Sequence, residues 1–398
     1  MTTEKDGYNV GDELEVRVEK IVPRGLGLAF AEKLTLFVPL AAAGDRVRVR
    51  INELKKRTAF AEIVEVLEPS PVRIAPPCIH FGTCGGCDFQ QMTYEAQLAA
   101  KIDIIRDCLQ RIGKIDDVGE INIIPSPQPL GYRSRAKWHA DRVAKTLGYF
   151  GRYSHDVIDV ETCPILTPAL QGELTRLRSE IKWETMWSDR LEIEAASGDG
   201  EQVSVYSAEL AEPTNEIAFT AHDEKYSFSA RSFFQGNQLL IGELIDAALG
   251  TSNGDKALDL YCGVGLFALP MARRFAQVIG VEGNSDAIAL ARRNAKAAGL
   301  ENVHFVSRSV GEYLDATELS GTDFVLLDPP RSGTEKYTIR NIARLKPRQI
   351  AYVSCEPSIL ARDLAVLISG GYKIDKITAL DLFPQTHHVE TVVRLSAK

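Results

Sequence analysis

The chain has 398 residues, 45% of them hydrophobic and 25% charged, and a formal net charge of −8. This composition excludes fibrous and disordered classes and leaves enough chain for two or three globular domains. No apolar run approaches the length of a bilayer span, and the polar stretch Met1 to Asp12 lacks an apolar leader core, so a cytoplasmic protein without a membrane partner is expected.

Residues 11 to 68 read as a small all-β unit. Short β-rich runs at Glu13 to Val22, Leu34 to Val38, Val47 to Ile51 and Thr58 to Val66 are separated by glycine-bearing turns at Gly25, Gly27 and Gly44, which predicts an OB-like barrel. Pro69 to Pro77, with four prolines in nine residues, marks a linker. Leu98, Ile102, Ile105, Leu109 and Ile112 then recur at helical spacing, predicting an amphipathic helix over Tyr94 to Ile112 that Gly113 ends. From Ile121 to about Phe228 the pattern is β-rich. From about Ile241 helical and strand patterns alternate as in βαβ units, which predicts a doubly wound, mostly parallel α/β sheet. The resulting division is 1–68, 69–228 and 229–398, with the 94–112 helix available to pack on the last unit.

The acidic net charge argues against nucleic acid globally, but binding is local. Arg46, Arg48 and Arg50 alternate along one strand, followed by Lys55, Lys56 and Arg57. Arg133, Arg135, Lys137, Arg142 and Lys145 form a second cluster among Tyr132, Trp138 and His139. Either cluster suits a solvated face or an RNA footprint. Seven cysteines are an odd number for a disulfide framework. Cys78, Cys84, Cys87 and Cys163 look like a metal or cluster set, and their spacing suits zinc or iron and sulfur equally.

The C-terminal half presents a cofactor site of recognisable shape. The strand Ala257 to Tyr261 runs into Cys262-Gly-Val-Gly265, whose glycines permit a tight turn before a helix expected from Leu266. The next strand, Val278 to Val281, ends in Glu282, a carboxylate placed for two ribose hydroxyls. Phe324 to Leu327 ends in Asp328-Pro-Pro-Arg331, a stiff loop at the carboxyl edge of the sheet. Without a third glycine at dinucleotide spacing, an adenosyl cofactor fits better than one bearing pyrophosphate. Each carboxylate alone serves equally well to cap a helix. A further strand delivers Cys355 to the start of a helix over Ser358 to Ile368, where a cysteine is either a core residue or a thiolate-rich nucleophile.

Together, Arg231-Ser-Phe-Phe-Gln-Gly-Asn237, Asp259-Leu-Tyr-Cys-Gly-Val-Gly-Leu-Phe267, Leu327-Asp-Pro-Pro-Arg-Ser-Gly333, Tyr352-Val-Ser-Cys355, Ala361-Arg-Asp-Leu364 and Phe383-Pro-Gln-Thr-His-His-Val-Glu390 resemble the RNA (uracil-5-)-methyltransferase family over nearly the whole chain. The resemblance implies a Rossmann-like class I methyltransferase fold that uses S-adenosylmethionine. Its cofactor contacts fall on Gln235, Tyr261, Gly263, Gly265, Glu282 and Asp328. The same resemblance makes the N-terminal barrel a TRAM domain that binds RNA, and Cys78, Cys84, Cys87 and Cys163 the ligands of a [4Fe-4S] cluster. It points to ribosomal RNA as the partner, with transfer RNA the alternative, and to a monomer. Leu266 and Glu356 depart from residues common in the family.

Uracil carbon 5 is too weak a nucleophile to take a methyl group directly, whereas adding a thiolate to carbon 6 makes an enolate that can attack. The resemblance assigns Cys355 to that addition and Glu390 to removal of the carbon 5 proton. Phe233 and Phe234, or the basic cluster near Trp138, would hold an extruded base. A cytosine-5 methyltransferase would place a second cysteine where Arg331 stands. An amino-directed enzyme would not need Cys355. A non-catalytic RNA-binding protein would leave Cys355 and Glu390 without a role. The adjacent pair His387 and His388 lacks the spacing of a helical metal site.

Overall fold

The computed structural model describes residues 7–209, 214–316, 321–335 and 337–398. Five strands, β1 (Glu13–Val22), β2 (Leu26–Ala31), β3 (Leu34–Pro39), β4 (Arg46–Lys55) and β5 (Thr58–Glu68), close into a barrel in the order β1-β2-β3-β5-β4. Alternation explains it: Val16 and Val18 of β1 and Val47, Val49 and Ile51 of β4 point inward, while Glu15, Arg48 and Arg50 point out. Gly27 does not turn the chain as expected but lies inside β2. A Cβ there would stand 2.8 Å from the Ala41 methyl and 2.9 Å from Val18 Cγ1, so the barrel interior admits only glycine.

Helix α1 (Tyr94–Arg111) starts at Thr93, whose hydroxyl accepts from Ala96 N at 3.4 Å. Its buried face differs from the expected stripe. Gln97, Ala100, Lys101, Ile104, Ile105, Cys108 and Leu109 are buried, while Ile112 is exposed. The stripe is displaced because two polar residues belong to it. Strand β6 (Asn122–Ile124) follows. A five-stranded sheet of order β11-β10-β7-β8-β9 then forms from β7 (Arg135–Asp141), β8 (Thr146–Phe150), β9 (Val157–Asp159), β10 (Arg190–Ser197) and β11 (Val203–Tyr206). Its core, with Trp138 wholly buried, packs on α2 (Pro168–Glu180) through Leu170 and Leu174. A hairpin, β12 (Ile217–Ala221) and β13 (Glu224–Phe228), leads to the last unit.

That unit comprises α3 (Ile241–Leu249), β14 (Gly254–Leu260), α4 (Ala268–Ala272), β15 (Phe275–Glu282), α5 (Ser285–Ala297), β16 (Val303–Ser307), α6 (Val310–Ala316), β17 (Phe324–Leu327), α7 (Thr338–Leu345), β18 (Gln349–Ser354), α8 (Pro357–Ser369), β19 (Tyr372–Leu380) and β20 (Glu390–Ala397). The sheet runs β16-β15-β14-β17-β18-β20-β19-β6, parallel from β16 to β18 and antiparallel at β20. Strands buried on both faces, such as Phe324–Leu327, read as continuous apolar runs. This is the doubly wound architecture expected from the alternating helical and strand patterns. Its edge strand β6 and the helix α1, which packs on α8, come from the segment that follows the barrel. Strand order reverses between β14 and β17, where open α/β sheets bind ligands. Among the described residues no helix is long and apolar enough to cross a membrane.

Candidate active site

The turn after β14 is built by unusual backbone. Tyr261, Gly263 and Gly265 all have positive φ, at 66°, 52° and 94°, so the helix expected from Leu266 begins only at Ala268. The carboxylate of Glu282, at the end of β15, braces this turn. Its Oε2 accepts from Gly263 N at 3.2 Å and its Oε1 from Asn284 N at 2.8 Å. The side chain of Asn284 in turn caps α5. Tyr261 donates its hydroxyl to Glu335.

Gln235, Tyr261, Gly263, Glu282, Asp328, Cys355 and Glu390 all line one cleft of about 1920 Å³. Gly265 does not. It sits behind the turn, where a Cβ would meet Leu269 Cδ1 at 2.7 Å, so it packs the turn rather than facing a ligand. The cleft also takes in Arg24 and Lys55 from the barrel and Arg135, Arg152 and Tyr153 from the central sheet.

At the corner where Asp328, Cys355 and Glu390 meet, Glu390 is buried at the first position of β20, and its Oε1 has no hydrogen-bond partner among the described residues. Burial, with the charge of Asp328, pushes its carboxyl well above the usual range. Burial likewise raises Asp328 to about 7, and Gln235 Nε2 donates to Asp328 at 3.5 Å. The thiolate-rich cysteine expected at a helix start is absent. Burial and the charge of Glu390 push the Cys355 thiol up to about 12, with Arg331 acting in the opposite direction. Glu356 explains why the helix does not help. Its carboxylate occupies the N-terminus of α8, accepting from Ser358 N at 3.4 Å and Ser358 Oγ at 2.7 Å, so the positive end of the helix is already neutralised.

Arg331 places its guanidinium 5.9 Å from the Phe383 ring centre. Burial, with His387 and the Arg331 guanidinium beside it, brings His388 down to about 3, so it enters the cleft neutral. Asp259 is wholly buried beneath the turn, and burial with the charge of Asp328 raises its carboxyl far above normal. Sequence reasoning assigned no site to Asp259 or Arg331 although both lie inside quoted motifs.

The aromatic and basic candidates divide. Phe233 is exposed beside Arg135, whose guanidinium lies 6.0 Å from its ring centre, whereas Phe234 is buried against Phe228 at 4.3 Å. Trp138 faces no ligand either, being a core residue whose Nε1 donates to Tyr149 at 3.1 Å. The barrel arginines are pinned by carboxylates: Arg46 to Glu68 at 2.7 Å, Arg48 to Glu65 at 2.6 Å and Arg50 to Glu13 at 2.8 Å. That face is a mixed-charge ladder rather than a positive patch. Lys137 is similarly paired with Glu192 and Arg142 with Asp189.

Cys78, Cys84, Cys87 and Cys163 line one small cavity together with Arg133 and Tyr149. Burial raises Cys84 and Cys163 and takes Cys87 to about 12, while the charge of Arg133 opposes the rise. Gly86 N donates to Cys84 Sγ at 3.4 Å. Among the described residues no three His, Cys, Asp or Glu side chains approach closely enough to hold a single metal ion.

Comparison with known proteins agrees with this geometry. The family model for tRNA (uracil-5-)-methyltransferase matches residues 202–398, and that for the TRAM domain of tRNA (uracil(54)-C(5))-methyltransferase matches residues 14–72. A 23S rRNA (uracil(1939)-C(5))-methyltransferase, RlmD, of Methylococcus capsulatus is 33% identical, over 96% of each chain. An uncharacterized RNA methyltransferase of Thermosynechococcus vestitus is 30% identical over 98% of this chain and 99% of its own. The crystal structure of Pyrococcus abyssi tRNA (uracil-54, C5)-methyltransferase in complex with S-adenosyl-L-homocysteine superposes with a TM-score of 0.77 at 27% identity, covering 96% of this chain and all of that one. The chain belongs to the RNA (uracil-5-)-methyltransferase family, whose members depend on S-adenosylmethionine.

Proposed function

We propose that the protein methylates carbon 5 of a uridine in ribosomal RNA, with Cys355 as nucleophile and Glu390 as base. The observation that carries this reading is the meeting of Cys355, Glu390 and Asp328 in one cleft beside the Gly263–Glu282 turn. Bound S-adenosylmethionine would supply an electrophilic methyl group there, with Gln235, Tyr261, Gly263, Glu282 and Asp328 holding it. Cys355, as thiolate, adds to carbon 6 and moves the ring electrons toward carbon 5. After carbon 5 has taken the methyl group, Glu390, having reached its carboxylate form in the RNA complex, accepts the carbon 5 proton. The returning electron pair restores the double bond and expels the Cys355 thiolate, so the net proton leaves through Glu390. Phe233 and Arg135, at the rim, offer a stacking surface for the extruded base.

We assign residues 1–68 to RNA binding, 69–228 to the cysteine-bearing central segment and 229–398 to catalysis. We assign Cys78, Cys84, Cys87 and Cys163 to a [4Fe-4S] cluster, a reading supported by their lining one cavity. Its all-thiolate donors, the Gly86 N–H on sulfur and the adjacent Arg133 suit a buried anionic cluster. The ribosomal target is supported by the 23S enzyme that matches end to end. Transfer RNA is the second reading, favoured by the equally complete superposition on the Pyrococcus abyssi tRNA enzyme. A barrel of this kind therefore does not distinguish the two.

Nucleoside mass spectrometry of both RNA classes, with and without the gene, assigns the target by which class loses 5-methyluridine. RNA carrying 5-fluorouridine tests the chemistry, because fluorine cannot leave as a proton. The wild type should form a denaturation-resistant complex, and Cys355→Ala should lose both complex and turnover, the latter by about 10⁴-fold or more. An undiminished complex with Cys355→Ala would remove it as the nucleophile.

A further inference from the structure

The polar residues on the buried face of α1 both reach the loop that joins β19 to β20 and ends at Glu390. Lys101, wholly buried, pairs with the equally buried Asp381 and donates to the Phe383 carbonyl at 3.0 Å. Gln97 and Gln385 bond reciprocally: Gln385 N donates to Gln97 Oε1 at 3.0 Å, and Gln97 Nε2 donates to Gln385 Oε1 at 3.0 Å. Gln385 Nε2 donates to the Pro129 carbonyl at 3.2 Å. Its own carbonyl accepts from Asp88 N at 2.9 Å and Phe89 N at 3.0 Å. Gln385 has φ +68°, a left-handed conformation that a residue with a side chain adopts only when its surroundings enforce it.

Burying an ammonium and two amides where leucines would pack is a poor way to attach a helix to a sheet. The groups become intelligible when their targets are considered. They fix the backbone on the approach to Glu390, a side chain that no hydrogen bond at Oε1 from the described residues holds in place. Cys355, by contrast, stands between β18 and α8, outside this loop.

We infer that Gln97 and Lys101 are positioning residues: through Gln385, Asp381 and Phe383 they hold the β19–β20 loop so that Glu390 reaches the carbon 5 proton of the methylated adduct. This rests on the roles proposed above for Cys355 and Glu390. Neither residue lines the cleft, so neither touches RNA or cofactor. Loosening the loop should slow proton removal while leaving addition and methyl transfer intact. The covalent complex with ordinary, unfluorinated RNA should therefore accumulate.

The test uses the full-length protein, S-adenosylmethionine and transcripts of ribosomal and transfer RNA, following both product and denaturation-resistant complex. Gln97→Leu keeps the helix and its bulk. It should lower kcat by about 10- to 100-fold with KM for RNA within about twofold, and raise the fraction of trapped complex. Glu390→Gln is the reference and should trap more complex than any other variant. If Glu390→Gln traps none, the assignment of the base fails. If it traps complex but Gln97→Leu lowers product and complex together, or leaves turnover unchanged, the positioning role is overturned. Lys101→Met alone would strand the Asp381 charge, so the lysine is tested as Lys101→Met with Asp381→Asn. That pair should trap complex while S-adenosylhomocysteine binding, which reports an intact fold, stays within about twofold; lost trapping with intact binding overturns the lysine's part.

Discussion

The cofactor turn and the catalytic corner lie at neighbouring strand ends of one sheet, yet they treat their polar groups in opposite ways. At the turn, both oxygens of Glu282 accept backbone N–H groups, and the side chain that follows caps a helix. At the corner, Glu390 keeps an oxygen without a partner among the described residues, and burial drives Asp328, Glu390 and Cys355 toward their neutral forms. A satisfied site is ready before its ligand arrives, and an unsatisfied one is completed by it. Under the roles proposed above, the difference implies that cofactor binding is largely preformed while Cys355 becomes reactive only with RNA bound.

The largest expected effect breaks one region without the other. Glu282→Ala removes the carboxylate that braces the turn and would accept two hydroxyls. Titration calorimetry should show affinity for S-adenosylhomocysteine falling by about 100- to 1000-fold, as expected for two charge-assisted hydrogen bonds. The alkylation profile of Cys355 against pH should not move. A shift in both would mean that turn and corner act as one coupled unit.

Asp328→Asn should have the next largest effect, and in the opposite sense for stability. The folded carboxyl is raised from 3.8 to about 7 by burial, so between those values the folded state holds a proton that the unfolded chain has released. Stability from this group is therefore present below pH 4 and lost as pH rises to about 7. Asparagine has no proton to lose. The variant should resist urea better than the wild type by on the order of a few kcal/mol at pH 8, and match it near pH 4. Equal gains at both values would show that the carboxyl is not the source of the penalty.

Much of the site was legible because it is local in sequence. A strand, a turn and a carboxylate at fixed spacing announce the cofactor edge, and β17 begins and ends where its apolar run does. What was not legible came from distance. Nothing near Gln97 or Lys101 indicates that partners almost three hundred residues away will bury them, and the apolar stripe of the helix was read displaced from its buried face, sharing only Ile105 and Leu109 with it. The arginines of β4 suited an RNA footprint as well as a solvated face because their neutralising glutamates lie on the neighbouring strands β1 and β5, distant in sequence or unpaired until the barrel closes. That Trp138, interleaved with the second basic cluster, is a core residue was not legible either, because burial in a sheet core leaves no mark on one strand alone.

The smallest effect concerns why Cys355 is quiet. A cysteine at a helix start should be activated, but here the Glu356 carboxylate already sits on the α8 N-terminus while burial and Glu390 hold the thiol near 12. In RNA-free protein, iodoacetamide labelling of Cys355, followed by peptide mass spectrometry, should rise about tenfold per pH unit between pH 7 and 9 without levelling, because the thiolate fraction does. Removing the cap carboxylate with Glu356→Ala exposes the helix N–H groups to the thiolate. Labelling at pH 8 should then increase about two- to fivefold, the ratio that a helix-end interaction of about 0.3–1 kcal/mol gives. An unchanged rate would place the whole penalty on burial and Glu390, and would leave the helix with no part in the chemistry even when RNA is bound.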